Sequence, residues 1–103
     1  MGSPSGEQGP ITVPAGQVQK GVDPMCLKPA RGDLIRMRLE LQRSLLRTGV
    51  SRLTPIQVSR EGVIVDGHHA VRAAAEEGHT VDVLVSELAV PGKACTILDL
   101  DVR

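Results

Sequence analysis

Residues 63–78 read VIVDGHHAVRAAAEEG. The apolar run that opens this stretch is typical of a buried strand, and the Asp66-Gly67 pair that follows it is a turn signal. The alanine-rich residues beyond the turn predict a short helix from about His69 to Glu77, which Gly78 would end. The stretch therefore predicts a strand that leads through a glycine turn into a helix, with two of the chain's 3 histidines at the turn.

Strand signals surround this stretch. Pro55-Ile56-Gln57-Val58 begins a strand, and Arg60-Glu61-Gly62 has the composition of a tight turn. Because the next apolar run starts at Val63, residues 56–65 predict a β-hairpin. Further short strands are predicted at residues 11–13, 80–85 and 97–100.

The longest helical pattern runs from Asp33 to Thr48. Asp33 is the predicted N-cap, and Gly49 is the predicted stop signal. The apolar residues of this pattern form one stripe, Leu34, Met37, Leu41 and Leu45, which is widened by Ile35, Leu39 and Leu46. The arginines of the other face are interpreted as a solvated surface rather than a phosphate-binding stripe: Arg36, Arg38, Arg43 and Arg47.

These patterns predict one α+β domain over residues 11–103, with a mixed sheet of short strands, one long helix and one short helix. Residues 1–10 are rich in Gly, Ser and Pro and are interpreted as a flexible leader or a tag remnant.

Composition excludes several classes of function. The 103 residues include no Phe, Tyr or Trp, so the core must be aliphatic and bases cannot stack on aromatic rings. Twelve basic and twelve acidic residues cancel, so no global positive field attracts nucleic acid or a membrane. No apolar run reaches the length of a membrane span. Cys26 and Cys95 are isolated, which favours two ordinary thiols over a disulfide and disfavours a Cys-rich zinc site.

The predicted turn has the residues of an anion-binding or catalytic site. The first N–H groups of a helix point out of its N-terminus and favour anions, and Gly67 would let a ligand approach the backbone. His68 or His69 can share a helix face with Arg72, because residues three or four apart are neighbours. Imidazole is the usual acid–base group near neutral pH. Asp66 could cap the helix, orient a histidine or hold a metal ion, and Arg72 could instead pair with Glu76.

The turn resembles the signature of the ParB/sulfiredoxin superfamily. ParB-type domains carry Gly-Glu-Arg-Arg-x-x-Ala-Ala, sulfiredoxins carry Gly-Cys-His-Arg, and other ParB-like domains read Asp-Gly-His-His-Arg. This chain reads DGHHAVRAA at residues 66–74. The flanks are similar too, because residues 11–13 resemble the opening strand, Pro29-Ala30-Arg31 the Pro-Arg element, and residues 55–58 the Pro-Ile-x-Val strand. The resemblance covers roughly residues 11–86 and implies a ParB/sulfiredoxin-like fold.

Members of that superfamily bind and hydrolyse CTP, reduce sulfinic acids with ATP, phosphorylate serine or are proposed nucleases. The resemblance implies that Gly67, His68 and His69 line a phosphate or nucleotide pocket with Arg31 and Arg72 nearby, and that ATP or CTP with Mg²⁺ is the cofactor. Two departures matter. Ala70 stands where relatives carry an arginine, which removes a bidentate phosphate donor. His68 stands at the sulfiredoxin cysteine position, which disfavours chemistry that needs a thiolate.

Two hypotheses of function stay open. In the first, the domain is a nuclease or a nucleotide-dependent phosphotransferase or hydrolase, in which His68, His69 and Asp66 are catalytic and Asp66 is a candidate metal ligand. In the second, it is a non-catalytic module that binds a nucleotide or a partner protein, or forms a homodimer. Nucleotide or nucleic acid is the expected partner and a membrane is not. The expected location is the cytoplasm, or outside the cell if the domain is the C-terminal module of a bacterial toxin-like protein.

Overall fold

The structure, a computed structural model, describes residues 10–49 and 55–103. It is a small α+β domain with two helices and a mixed sheet, as the sequence predicts at that level. The elements in chain order are β1 (Val18–Val22), β2 (Asp33–Leu34), α1 (Arg36–Arg47), β3 (Ile56–Val58), β4 (Ile64–Asp66), α2 (His68–Glu77), β5 (Val81–Val85) and β6 (Asp101–Val102). Two 3₁₀ turns, Pro24–Cys26 and Ile97–Asp99, lie between them.

The main sheet has the strand order β1-β5-β3-β4. β3 and β4 pair antiparallel, which confirms the predicted hairpin, and β5 confirms the strand predicted after the alanine-rich helix. β3 and β5 pair in parallel. Parallel neighbours need a crossover connection, and α2 lies within the one between them. A separate parallel pair, β2 with β6, joins the residues before α1 to the chain's last residues.

The core lies where α2 meets the sheet and the C-terminal 3₁₀ turn. It is wholly aliphatic, as the missing aromatic residues require. On α2 the buried apolar side chains are Ala70, Val71, Ala73 and Ala74, with His68 buried at its start, and small alanines allow close packing against the sheet. The main cluster joins three of them, Ala70, Val71 and Ala74, to residues of the sheet and of the segments around it: Val22, Leu27, Leu34, Ile56, Val58, Ile64, Val81, Val83, Val85, Ile97 and Leu100.

The predicted start of the long helix is wrong, whereas its predicted end is confirmed, because Thr48 is the C-cap and Gly49 follows it with a φ of 75°. Asp33 is not its N-cap, because its backbone is extended in β2, and α1 starts after Ile35 without a side-chain cap. Leu39 is the fully buried residue of α1, whereas Met37 is 82% and Leu41 58% exposed. The helix therefore packs inward on the Leu39 edge of the predicted stripe and leaves Met37 and Leu41, near its centre, exposed.

Two predicted strands lie elsewhere. Residues 11–13 form no strand. The opening strand is β1, which begins at Val18, five residues after the end of the predicted strand. Residues 97–99 form a 3₁₀ turn instead of an edge strand, because the side chain and backbone of Thr96 exchange hydrogen bonds with Asp99 in a capping box. Neither helix within the described ranges has the length and apolar character needed to cross a bilayer.

Candidate functional site

Gly67 forms the turn at the centre of the candidate site. It is the N-cap of α2 with φ 107° and ψ 23°, and no side chain caps the helix. Of the roles that the sequence leaves open for Asp66, the N-cap is therefore not taken, and Asp66 is exposed at the end of β4. A Cβ atom on Gly67 would lie 2.7 Å from Cδ1 of Ile56. Both the backbone conformation and this close approach require glycine here.

The structure brings the two histidines together, each against a backbone amide from the segment before α1. Nε2 of His68 accepts a hydrogen bond from the N–H of Ala30, at 3.0 Å. Nε2 of His69 accepts one from the N–H of Ile35, also at 3.0 Å. The first residues of α2 thus hold residues 30–35 in place. No residue pattern predicts these bonds, because every residue except proline carries the same amide donor.

Burial and neighbouring charges keep both rings neutral. Desolvation, followed by the charges of Arg31 and His69, lowers the pKa of His68 to about 4, although Asp66 opposes the shift. Desolvation, followed by Arg31 and Arg38, lowers the pKa of His69 as well. A neutral imidazole whose Nε2 accepts a hydrogen bond carries its proton on Nδ1. Neither ring therefore offers a free lone pair for abstracting a proton.

Arg31 directly follows Ala30, whose N–H binds His68, and its charge lowers the pKa of both rings. Its guanidinium pairs loosely with Asp33, at 3.6 Å, and its side chain is 39% exposed. An ion pair at that distance and exposure contributes little to stability. The guanidinium is therefore accessible to an anionic ligand.

Arg72 makes different contacts from those the anion-site prediction requires. Nη1 of Arg72 donates to the carbonyls of Ile97, at 3.2 Å, and Leu100, at 3.1 Å. Its Nε donates to Glu76 at 2.7 Å, which confirms the alternative pairing, and its side chain is only 14% exposed. Arg72 therefore ties α2 to the C-terminal segment.

Glu76 links the two helices. It accepts from Nε and Nη2 of Arg43 on α1, at 2.7 and 2.8 Å, as well as from Arg72. These partners, Arg43 first, lower the pKa of the Glu76 carboxyl. Because Arg43 lies on the side of α1 that carries Leu39, this ion pair helps to set the rotation of α1.

Ala70 is 7% exposed and belongs to the core cluster. The described residues contain no group of three or more His, Cys, Asp and Glu side chains placed to hold a metal ion. Cys26 and Cys95 are free thiols.

Comparisons with protein-family models, curated protein sequences and solved structures gave no match. The superfamily resemblance of the turn therefore stays a prediction, and the functional argument depends on the geometry of the site.

Arg72→Met is expected to lower the free energy of unfolding by about 2 kcal/mol, because it leaves two carbonyls and one carboxylate short of a donor. Methionine keeps much of the apolar stem. Arg60→Met is the matched control, since Arg60 is exposed in the β3–β4 turn, and it is expected to change stability by less than about 0.5 kcal/mol. Urea denaturation followed by circular dichroism measures both. Equal losses in the two variants would contradict the assigned role of Arg72.

Proposed function

We propose that this chain is a ParB/sulfiredoxin-like domain that binds a phosphate-bearing ligand, a nucleotide, at the Gly67 turn and does not use its histidines as acid or base. The observation that carries this choice is the pair of backbone hydrogen bonds at Nε2 of His68 and His69. Those bonds make the rings parts of the frame of the site.

The order of elements supports the fold assignment. A strand is followed by Pro29 and Arg31, a long helix, the Ile56–Val58 strand, the glycine turn, α2 and then β5. This is the order that the superfamily resemblance implies. The displaced opening strand, Val18–Val22 in place of residues 11–13, leaves that order unchanged.

Three features of the turn support a phosphate ligand. No side chain caps the N-terminus of α2, where backbone N–H groups favour anions. Gly67 leaves the backbone uncovered by a side chain. Arg31 adds a partly exposed guanidinium beside the histidine pair, and guanidinium binds phosphate oxygens through two parallel bonds.

The exposed carboxylate of Asp66 would repel a bare phosphate. A nucleotide that arrives with Mg²⁺ removes this conflict, because Mg²⁺ is usually held by one or two carboxylates together with substrate phosphates. ATP or CTP with Mg²⁺ is therefore the ligand we propose, with Asp66 on the cation and Arg31 on the phosphates.

The catalytic hypothesis would require the histidines and Arg72 to give up hydrogen bonds that they make in the structure. A histidine base would have to release its backbone N–H before it could take a proton, and a buried ring with a pKa of about 4 is not in the imidazolium form that acts as an acid at neutral pH. Arg72, the expected stabiliser of developing charge, donates instead to two carbonyls and Glu76.

Calorimetric titration with ATP, CTP and ADP, with and without Mg²⁺, tests the proposal. We expect Arg31→Ala to weaken binding about 10- to 100-fold, since a charge-assisted phosphate contact contributes about 1.5–3 kcal/mol. Arg60→Ala, an exposed arginine in the β3–β4 turn, is the matched control and should bind as the parent does. His68→Gln and His69→Gln keep an acceptor in place and are expected to retain binding.

The same samples separate the two hypotheses. If no nucleotide binds, the proposed function is wrong. If the parent releases phosphate from ATP or CTP and His68→Gln or His69→Gln does not, the histidines are catalytic and the first hypothesis stands.

A further inference from the structure

Strand β6 lies against the segment that carries Arg31. It pairs in parallel with β2, and the backbone of Arg103 makes two further hydrogen bonds to that segment. The N–H of Arg103 donates to the carbonyl of Leu34, at 2.8 Å, and the carbonyl of Arg103 accepts from the N–H of Arg36, at 2.7 Å. These bonds do not involve the side chain of Arg103, so they fix the backbone from which that side chain extends.

The side chain of Arg103 reaches Asp33, the residue that also pairs with Arg31. Nε of Arg103 lies 2.7 Å from Oδ2 of Asp33. Nη2 of Arg31 lies 3.6 Å from Oδ1 of the same carboxylate. One carboxylate therefore lies between two guanidinium groups, and Arg103 is the closer partner. We call these three residues the Asp33 triad.

The closer ion pair limits how strongly Asp33 attracts Arg31. The charge of Arg103 offsets most of the charge of the carboxylate at this separation. Without it, the full charge of Asp33 would act on Arg31, whose side chain is 39% exposed and therefore has room to move closer. A guanidinium bonded to a carboxylate has fewer N–H donors left for a phosphate.

The net charge of the Asp33 triad acts in the same direction. Two guanidinium groups and one carboxylate leave one positive charge beside the Gly67 turn, which favours an anionic ligand. Loss of the Arg103 charge would reduce that sum to zero.

We propose that Arg103 is a positioning residue of the nucleotide site. By pairing with Asp33, it leaves the guanidinium of Arg31 free to bind the phosphates of the ligand. This inference rests on the proposed function and adds to the site a residue of β6 that acts on the ligand through Asp33 and Arg31.

Two other roles of the Arg103 side chain predict different results. A side chain that only fastens β6 would affect stability first, although a pair in which Arg103 is 74% exposed contributes little. A side chain that touches the phosphates itself would affect binding whether or not Asp33 is present.

The test is calorimetric titration with ATP and Mg²⁺ at low ionic strength, because salt screens exposed charges. We expect Arg103→Gln to weaken binding about threefold, as the loss of an exposed ion pair allows. Arg103→Lys keeps a positive charge for Asp33 and should restore the parent's affinity. Arg60→Gln is the matched control for the loss of one positive charge, since Arg60 is exposed in the β3–β4 turn, and it should bind as the parent does.

A double-mutant cycle with Asp33→Asn identifies the route. Asp33→Asn alone should bind at least as tightly as the parent, because it removes the competitor for Arg31. In that background Arg103→Gln should have no further effect. A threefold loss that persists there would overturn the proposal, because Arg103 would then act on the ligand directly. A lower urea midpoint for Arg103→Gln, with no recovery of affinity in Arg103→Lys, would also overturn it and assign the side chain to fastening β6.

The same titrations separate this proposal from the proposed function. A parent that binds no nucleotide contradicts both. A parent whose binding is weakened by Arg31→Ala but not by Arg103→Gln supports the nucleotide site and overturns the role of Arg103.

Discussion

Gly67→Ala is expected to lower the free energy of unfolding by about 2–5 kcal/mol. A left-handed backbone costs a residue with a Cβ about 1–2 kcal/mol, and the φ of 107° lies at the far side of that region. The new methyl group would also lie 2.7 Å from Cδ1 of Ile56, and overpacking of a filled core costs about 1–3 kcal/mol.

Gly78→Ala separates the two causes. Gly78 ends α2 with φ 74°, and nothing lies within 4 Å of the position of its Cβ. We therefore expect the backbone cost alone, about 1–2 kcal/mol. Denaturation in urea at pH 7 compares the two variants, and equal losses would contradict a steric role for Ile56.

A double-mutant cycle isolates the contact with Ile56. Ile56→Val removes Cδ1, the atom closest to the position of the Gly67 Cβ, and leaves Cγ2 at 3.4 Å. We expect Gly67→Ala to cost at least about 1 kcal/mol less in the Ile56→Val background than in the parent. Additive losses would show that backbone strain accounts for the whole effect.

The Gly67 turn could be predicted because its signals are local. An apolar strand, Asp-Gly and an alanine-rich segment specify their own backbone conformations, and the helix ends at Gly78 as predicted. The β3–β4 hairpin before the turn could be predicted for the same reason. Elements that depend on distant pairing could not be predicted from local signals. The backbone of Asp33 is extended because β2 pairs with β6 almost seventy residues later, with Asp33 opposite Asp101.

The orientation of α1 shows a second limit. Its sequence offers two apolar faces, one through Met37 and Leu41 and the other through Leu39 and Leu46, and periodicity cannot choose between them. The structure buries the Leu39 face, beside the ion pair of Arg43 with Glu76, a residue 33 positions away. Such a choice is made by tertiary contacts and leaves the other apolar face exposed.

The candidate site divides in the same way. The sequence predicted that His68 and His69 lie at the start of a helix, but their partners are amides 38 and 34 residues away. Amides carry no signature in a sequence. Imidazole chemistry therefore suggested acid–base catalysis, whereas the geometry uses each ring as a hydrogen-bond acceptor that positions the segment carrying Arg31.

Stability is expected to fall as the pH drops from 7 to about 4, and His68 is the main cause. Its pKa is about 4 in the folded chain against an ordinary value of 6.5, so the unfolded chain binds more protons between these values and stability rises with pH there. The neutral ring's contribution is present in full above pH 6.5 and is lost as the pH approaches 4. A pKa difference of that size corresponds to about 3 kcal/mol in the free energy of unfolding.

His68→Gln tests the source of this dependence. Glutamine can place an acceptor near the position of Nε2 and keep the bond from the Ala30 N–H, but it does not titrate in this range. We expect the variant to flatten the dependence of unfolding free energy on pH between about 6.5 and 4.5. His79→Gln is the matched control, because His79 is an exposed histidine just beyond α2, and its profile should follow the parent's.

Two other groups contribute, and the pH range separates them. His69 has a lowered pKa with the same sign, so His68→Gln should leave a smaller residual slope that His68→Gln/His69→Gln removes. Glu76 also has a lowered pKa, but its contribution is lost only below its ordinary value of 4.5 and would persist in both variants. A His68→Gln profile that overlays the parent's between pH 6.5 and 4.5 would contradict the buried, hydrogen-bonded state of His68.

Protonation of these rings would also release the N–H groups of Ala30 and Ile35, and the segment that carries Arg31 would no longer be held in place. Nucleotide affinity is therefore expected to decline over the same pH range in the parent and to decline less in His68→Gln.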